Sequence, residues 1–190
     1  ASRFGLSGEF LKHLLYRISQ TLCSRITWSS LIESTPVRTH ETALEYVEHL
    51  NDAFLCKIFY CYDFEHSIPA VNKARKLYLI DPLLIYLAQG WKAGIDAIWP
   101  LVADQTRDPL FRSKLLENTY ALLASRHYPS HYFWYSSRTK REVDLVVLEN
   151  GKPKLFDVKS GRPSLLDKRS IEFLSTDKVF SWPGIQYISR

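Results

Sequence analysis

Apolar residues recur three or four positions apart in the first third of the chain, a spacing that predicts amphipathic helices. Thr39 precedes one of these stretches and is a suitable N-cap residue. Two strand-like apolar runs follow, separated by a loop that contains Pro69. The pattern therefore predicts helices over 8–22, 29–34 and 39–54, and strands over 56–62 and 76–80.

Three helices followed by a two-stranded wing is the element order of a winged-helix module, which we predict for residues 1–90. Such modules usually contact DNA through the third helix. Here that helix would present an acidic face, which repels phosphates. We therefore expect a structural or protein-docking role for this module in preference to groove reading. The acids of that face are Glu41, Glu45, Glu48 and Asp52.

The second part of the chain, residues 91–190, is predicted to form a separate domain that contains further helices and strands. Proline is favoured at the first helical position. One helix is therefore predicted to begin at Pro82, at the end of the first part of the chain, and another near Pro109, in the second part. The sequence predicts helices over 82–87 and 109–127, a connection over 91–108, and strands over 132–135, 171–174 and 185–188.

A β-hairpin is predicted around Asn150–Gly151, because both positions tolerate the positive φ of a type I′ turn. If that turn is the pivot, the numbers of paired residues sum to 301. Asp144 then lies opposite Asp157, and Glu142 lies opposite Lys159. Lys159 is two residues after Asp157 and therefore shares its face of the strand.

Strict alternation along the first hairpin strand divides its apolar residues between two faces. Two carboxylates directly opposite each other repel unless they are neutralised, and a divalent cation with oxygen ligands would do so. The sequence thus predicts an acidic pair in a half-buried setting. The faces are Val143, Leu145 and Val147 on one side, and Asp144, Val146 and Leu148 on the other.

The net charge of +5 is concentrated around this hairpin. Residues 107–170 carry thirteen Lys and Arg against seven Asp and Glu, whereas residues 1–106 carry ten against eleven. A basic field around an acidic site suits a polyanion such as nucleic acid. The absence of an 18-residue apolar run predicts no membrane span, and three cysteines favour a reducing cytoplasm.

A helix with Glu117, a strand, a strand with Asp144 and a strand with Asp157-x-Lys159 resembles the core of the PD-(D/E)XK nuclease superfamily. More specifically, the chain resembles the C-terminal region of bacterial and archaeal AAA-superfamily ATPases, a domain of unknown function. The matching stretches are KLYLIDPLL (76–84), PLFRSKLLENTYALLASR (109–126), YFWYSSRTKREVDLVV (132–147) and LFDVKSGRP (155–163).

The resemblance implies an α+β chain, with a winged helix followed by a nuclease-like domain. It implies that Glu117, Asp144 and Asp157 bind Mg²⁺ or Mn²⁺, with the carbonyl of Val158 as a further ligand. Lys159 would orient the attacking water, and Glu142 could hold Lys159 as an ion pair. Expected nucleic-acid contacts are Arg138, Lys140, Arg141, Ser160 and Arg162.

The resemblance also implies an ATPase domain in the same full-length protein as a partner, and it leaves a homo-oligomer open. No GxxxxGK[S/T] phosphate loop occurs in these 190 residues. Only nine residues separate Gly161 from Ile171, fewer than a parallel crossover needs. Either this connection is unusual or residues are missing there, which agrees with the absence of methionine.

Two functions remain open at this stage. The first is metal-dependent hydrolysis of DNA or RNA by these four residues. The second is a catalytically inactive, nuclease-like scaffold or interaction module, in which the same charges form a structural ion cluster.

Overall fold

The described part of the computed structural model covers residues 7–33, 35–36, 38–93, 98–158 and 186–188. Those residues form six helices and six strands, an α+β architecture. The helices are α1 (Gly8–Gln20), α2 (Trp28–Ile32), α3 (His40–Asp52), α4 (Pro82–Ala93), α5 (Ile98–Arg107) and α6 (Pro109–His127). The strands are β1 (Cys56–Asp63), β2 (Ile68–Leu79), β3 (His131–Tyr135), β4 (Glu142–Glu149), β5 (Lys152–Val158) and β6 (Gln186–Ile188).

Local capping signals set the helix N-termini. The hydroxyl of Thr39 accepts a hydrogen bond from the backbone N–H of Thr42, which caps α3 as predicted. The carboxylate of Asp108 accepts from the N–H of Leu110, and Pro109 occupies the first turn of α6. The predicted bounds of α6 are confirmed. No helix in the described ranges combines the length and the apolar character that crossing a lipid bilayer requires.

All six strands belong to one mixed sheet with the order β2-β1-β3-β4-β5-β6. The pairs β1–β3 and β5–β6 are parallel, and the other neighbouring pairs are antiparallel. The two strands predicted to form the wing, β1 and β2, therefore belong to the same sheet as the β4–β5 hairpin. The division at residue 90 and the winged-helix and nuclease-like arrangement remain predictions.

The predicted hairpin is present with its predicted register. Asn150 and Gly151 have φ values of 52° and 74°, and pairs from Leu145–Phe156 to Glu149–Lys152 all sum to 301. The predicted alternation along β4 is wrong, because β4 contains a β-bulge. Phe133 of β3 stands opposite both Asp144 and Leu145.

The bulge moves Asp144 to the side of Leu145 instead of the side of Val146. Consequently Val143 and Val146, which strict alternation separates, pack in one cluster. That smaller cluster also contains Tyr62, Trp134 and Leu155. The main core holds the buried faces of α1 and α3 together with residues from β1, β2, α6, β3 and β4, so it spans both predicted parts of the chain.

Three other expectations differ from the structure or lie outside it. The stretch 91–108 is mostly helical, because α4 continues to Ala93 and α5 begins at Ile98. The predicted loop around Pro69 belongs to β2, where Pro69 pairs with Tyr62. Strand β6 confirms the prediction for 185–188, and the predicted strand over 171–174 lies outside the described residues.

Candidate functional site

The most unusual feature of the core is a buried lysine that contacts three carboxylates. Lys76 is fully buried, in the last part of β2. Its Nζ lies 2.7 Å from Oε1 of Glu117, 2.5 Å from Oε1 of Glu142 and 3.4 Å from Oδ1 of Asp144. A buried charge needs compensation of this kind, because its loss of hydration costs several kcal/mol. The four side chains are here called the Lys76 cluster.

Helix α6 positions Glu117 through the next residue, Asn118. The buried Asn118 amide donates to the carbonyl of Leu79 at 2.8 Å and accepts from the Leu79 N–H at 3.1 Å. These two bonds fix α6 against the outer side of β2. Glu117 is thereby held against Lys76 and Tyr78, and the Tyr78 hydroxyl donates to Oε1 of Glu117 at 2.9 Å.

The hairpin supplies the other two acids. Because of the bulge, Asp144 faces the core side, where its Oδ2 accepts the backbone N–H of Val158 at 3.0 Å. Glu142 begins β4 and is held by Arg25, whose Nε lies 2.7 Å from Oε2 of Glu142. The guanidinium of Arg25 also stacks on the ring of Tyr135 at 3.3 Å from its centroid.

The cluster has a closed and an open side. The Lys76 side chain is 1% exposed, whereas those of Glu117, Glu142 and Asp144 are 16%, 27% and 15% exposed. Solvent therefore reaches the carboxylates but not the ammonium. In the described part of the chain, Lys76 thus contacts all three carboxylates, and Arg25 is a second cation at Glu142.

Burial and neighbouring charges together shift the pKa values of the cluster. Burial, followed by the charge of Asp144, raises the pKa of Glu117 to about 7, although the ammonium of Lys76 acts in the opposite direction. Burial lowers the pKa of Lys76, but the nearby carboxylates outweigh it, so the net shift is upward. Burial also raises the pKa of Tyr78, which therefore stays a donor. Glu117 and Lys76 thus both hold their protons more tightly than usual.

Two of the predicted site acids meet at this cluster: Glu117 and Asp144. The third, Asp157, is buried near the end of β5, in register with Tyr187 of β6. The paired residues of β4 and β5 run from Glu149–Lys152 at the turn to Leu145–Phe156. Past this last pair, the Asp144 carboxylate accepts a hydrogen bond from the backbone N–H of Val158. The role of the Val158 carbonyl as a ligand remains a prediction.

Lys159, which was predicted to pair with Glu142, lies outside the described residues, as do Ser160 and Arg162. Among the other expected nucleic-acid contacts, Arg138 and Lys140 are exposed and Arg141 is half-buried, all in the turn between β3 and β4. Their role in nucleic-acid contact remains a prediction.

Sequence reasoning missed Lys76, the residue at the centre of the cluster, and also Arg25 and Asn118. One signal for Lys76 was available. The run 76–80 reads KLYLI, and a single charged residue in a short apolar strand must either reach solvent or find a buried partner. The identity of that partner could not be read from the sequence, because Glu117 and Asp144 are 41 and 68 positions away.

A group that could hold a metal ion lies elsewhere, at the turn between β1 and β2. Asp63, Glu65 and His66 each offer a ligand atom within 4.8 Å of the others. A hydrogen bond from His66 lowers the pKa of Asp63. A search of the described residues for three such ligand atoms finds this group, and it does not find Glu117, Asp144 and Asp157 together.

A cavity of about 270 Å³ is lined in part by two aromatic residues that lie near cations of the Lys76 cluster and its surroundings. One is Phe133, whose ring centroid is 5.7 Å from the Lys76 ammonium, and the other is Tyr135, on which Arg25 stacks. Lys73 and Ser137 add polar groups to the lining.

The chain was also compared with known proteins at three levels. Comparisons with protein-family models, with curated proteins and with solved structures each gave no significant match.

Proposed function

We propose that the chain is the nuclease-like C-terminal part of an AAA-type ATPase and catalyses metal-dependent phosphodiester hydrolysis of DNA or RNA. The observation that carries the proposal is the convergence of Glu117 from α6 and Asp144 from β4 on one point, the ammonium of Lys76. The partner that this proposal implies is the ATPase domain of the same full-length protein.

The donor set of the cluster fits a hard divalent cation. Mg²⁺ and Mn²⁺ prefer carboxylate oxygens, and the carboxylates of Glu117 and Asp144 are accessible to solvent on one side. The position between the two acids is taken by the ammonium of Lys76, so a metal ion there requires this ammonium to move.

In such a site, Glu117 and Asp144 would hold the Mg²⁺ or Mn²⁺ ion, and Asp157 would be the third acid that the resemblance to the PD-(D/E)XK core implies. The bound ion supplies polarisation of the scissile phosphate and a lower pKa for a water molecule. Asn118 and the Val158 amide keep Glu117 and Asp144 in place. Lys159 orients the attacking water, as the resemblance to the PD-(D/E)XK core implies.

The surroundings suit a polyanionic substrate. Residues 107–170 carry a charge of +6, from thirteen basic and seven acidic residues. Arg138 and Lys140 extend this basic character to the exposed turn beside the start of β4. The cavity lined by Phe133 and Tyr135 provides a space in which part of a nucleotide can lie.

A cleavage assay on the purified chain tests the proposal. Single- and double-stranded DNA and RNA are incubated with Mg²⁺ or Mn²⁺, and with EDTA as the metal-free control. We expect cleavage that needs the metal and falls by about 100-fold or more in Asp144→Asn. Asp104→Asn is the matched control, because Asp104 is an exposed acid of α5 whose side chain is 78% accessible.

A specific observation favours a second candidate function, the catalytically inactive scaffold or interaction module. The cluster already contains its own cation, since Lys76 is fully buried and contacts all three acids. In that case the purified chain cuts no nucleic acid with either metal, and Asp144→Asn changes its stability alone. Cleavage that is equal in Asp144→Asn and the wild type also counts against the catalytic proposal.

A further inference from the structure

We infer that Lys76 is a resident counter-ion, whose ammonium occupies the position of the divalent cation and must be displaced when the metal binds. This inference rests on the proposed metal site. The ammonium lies 2.7 Å from Oε1 of Glu117 and 3.4 Å from Oδ1 of Asp144. An Mg²⁺ ion binds oxygens at about 2.0–2.1 Å. Both cations cannot lie between the same two oxygens, so they compete.

The cluster also offers a route for the displacement. Besides Glu117 and Asp144, the ammonium contacts Glu142, which is anchored to Arg25. Lys76 can therefore give up two carboxylates and keep the third, without entering the apolar core as an unpaired charge. Complete loss of all partners would cost several kcal/mol, which makes this retained contact necessary. Glu142 thus acts as the holding partner of Lys76 in the metal-bound state.

The competition has a measurable consequence for affinity. Removing the ammonium takes one positive charge away from the three carboxylates and removes the competitor. The affinity for a divalent cation should then increase, although the metal-free protein becomes less stable. A lysine with a merely structural role would give the opposite result, because its loss would disorder the acids and weaken metal binding.

Isothermal titration calorimetry with Mn²⁺, in the absence of nucleic acid, tests this on the wild type and Lys76→Met. We expect Lys76→Met to bind Mn²⁺ at least about tenfold more tightly, and its melting temperature to rise more on Mn²⁺ addition. Lys12→Met, in an exposed part of α1, is the control and should match the wild type. Asp144→Asn lacks one carboxylate of the proposed site, so it measures the Mn²⁺ that binds at other places, including Asp63.

A folded Lys76→Met that binds Mn²⁺ no more tightly than the wild type overturns the inference. If Lys76→Met folds only when Mn²⁺ is present, the metal has replaced the ammonium and the inference is supported. If Lys76→Met does not fold with or without Mn²⁺, the inference is tested by NMR on the wild type. The ¹⁵N resonance of the Lys76 ammonium should shift during Mg²⁺ titration, and a resonance that stays constant up to the solubility limit of the metal overturns the inference.

The outcome is distinguishable from a failure of the proposed function. Metal affinity and the ammonium resonance are measured without substrate, so they do not depend on cleavage. Tight Mn²⁺ binding by Lys76→Met without any cleavage by the wild type supports the counter-ion and contradicts the nuclease. Metal-dependent cleavage by the wild type with equal affinities in both proteins supports the nuclease and contradicts the counter-ion.

Discussion

Asn118 links two parts of the molecule through a single side-chain amide. It bonds both backbone groups of Leu79, which would otherwise lack partners on the outer side of β2. Since Asn118 is fully buried, water cannot take over these bonds. The residue therefore stabilises the fold and also sets the position of Glu117.

Replacing Asn118 by leucine removes both bonds and leaves two buried backbone groups unsatisfied. We expect a loss of about 3 kcal/mol in the free energy of unfolding, measured by urea denaturation. Thr119→Ala is the control, because Thr119 is exposed on the same helix and bonds only to the Leu115 carbonyl. Equal urea midpoints for the Asn118→Leu variant and the wild type would show that the two hydrogen bonds of Asn118 contribute nothing to the free energy of unfolding.

Glu117 predicts a pH dependence of stability. Its pKa is about 7 in the folded chain, against 4.5 as the ordinary value. Between these pH values the folded state holds a proton that the unfolded state has released. The contribution of Glu117 to stability is therefore full below pH 4.5 and is lost as the pH rises to about 7.

Glu117→Gln cannot titrate, so it isolates this effect. The melting temperature of the wild type minus that of the variant should decrease between pH 4.5 and pH 7 and stay level above. Circular dichroism at a series of pH values measures both melting temperatures. A difference that is constant over this range would contradict the assignment.

At the scale of single residues, the sequence could predict acids but not their partner. Glu117 and Asp144 stand in recognisable local patterns, an acid in a helix and an acid in a hairpin strand. Lys76 meets them only because β2, α6 and β4 come together in the folded chain. Such a contact depends on tertiary packing, which no local spacing determines.

At the scale of elements, the β4–β5 hairpin depends on its turn. Gly151 has a φ of 74°, a conformation that costs other L-residues about 1–2 kcal/mol. The same turn sets the register that brings the Asp144 carboxylate to the amide of Val158. A local backbone requirement therefore determines the geometry of the candidate site.

We expect Gly151→Ala to lower the free energy of unfolding by about 1 kcal/mol. A Cβ atom at this position would meet nothing within 4 Å, so the effect would come from the backbone alone. Gly8→Ala is the matched control. Gly8 also has open space around it but lies in the first turn of α1, where alanine should be neutral or stabilising by about 0.5 kcal/mol. Equal effects of the two substitutions in thermal unfolding would contradict the argument.

Elements with strong local signals were predictable, and those set by a neighbouring strand were not. The N-caps at Thr39 and Asp108 fix α3 and α6, and the Asn150–Gly151 turn fixes the hairpin register. The bulge in β4 was missed because it depends on Phe133 in the adjacent strand. Helix α5 lies in the stretch 91–108 that was predicted as a connection, and Pro100 stands in its first turn, where a helix tolerates proline.

At the scale of the whole molecule, the main core crosses the boundary predicted at residue 90. Leu14 of α1 and Leu145 of β4 belong to the same buried cluster. We therefore expect a single cooperative unfolding transition for the chain, followed by fluorescence and circular dichroism in urea. Two independent domains would instead give two transitions, or probe-dependent midpoints.

Substitutions of one core residue from each predicted part of the chain test this expectation further. Leu14→Ala and Leu145→Ala should each destabilise the same single transition by about 2–5 kcal/mol. A variant that shifts only part of the signal change would show that the two parts of the chain unfold separately.

The outer side of β2 is covered at two points by other parts of the chain. Ile26 exchanges two backbone hydrogen bonds with Arg75, at 2.8 and 2.9 Å, and Asn118 takes both groups of Leu79. A strand from a second molecule would have to break these bonds before it could extend the sheet. Uncovered edges of this kind are starting points for aggregation, so the arrangement protects the C-terminal half of β2 against intermolecular strand addition.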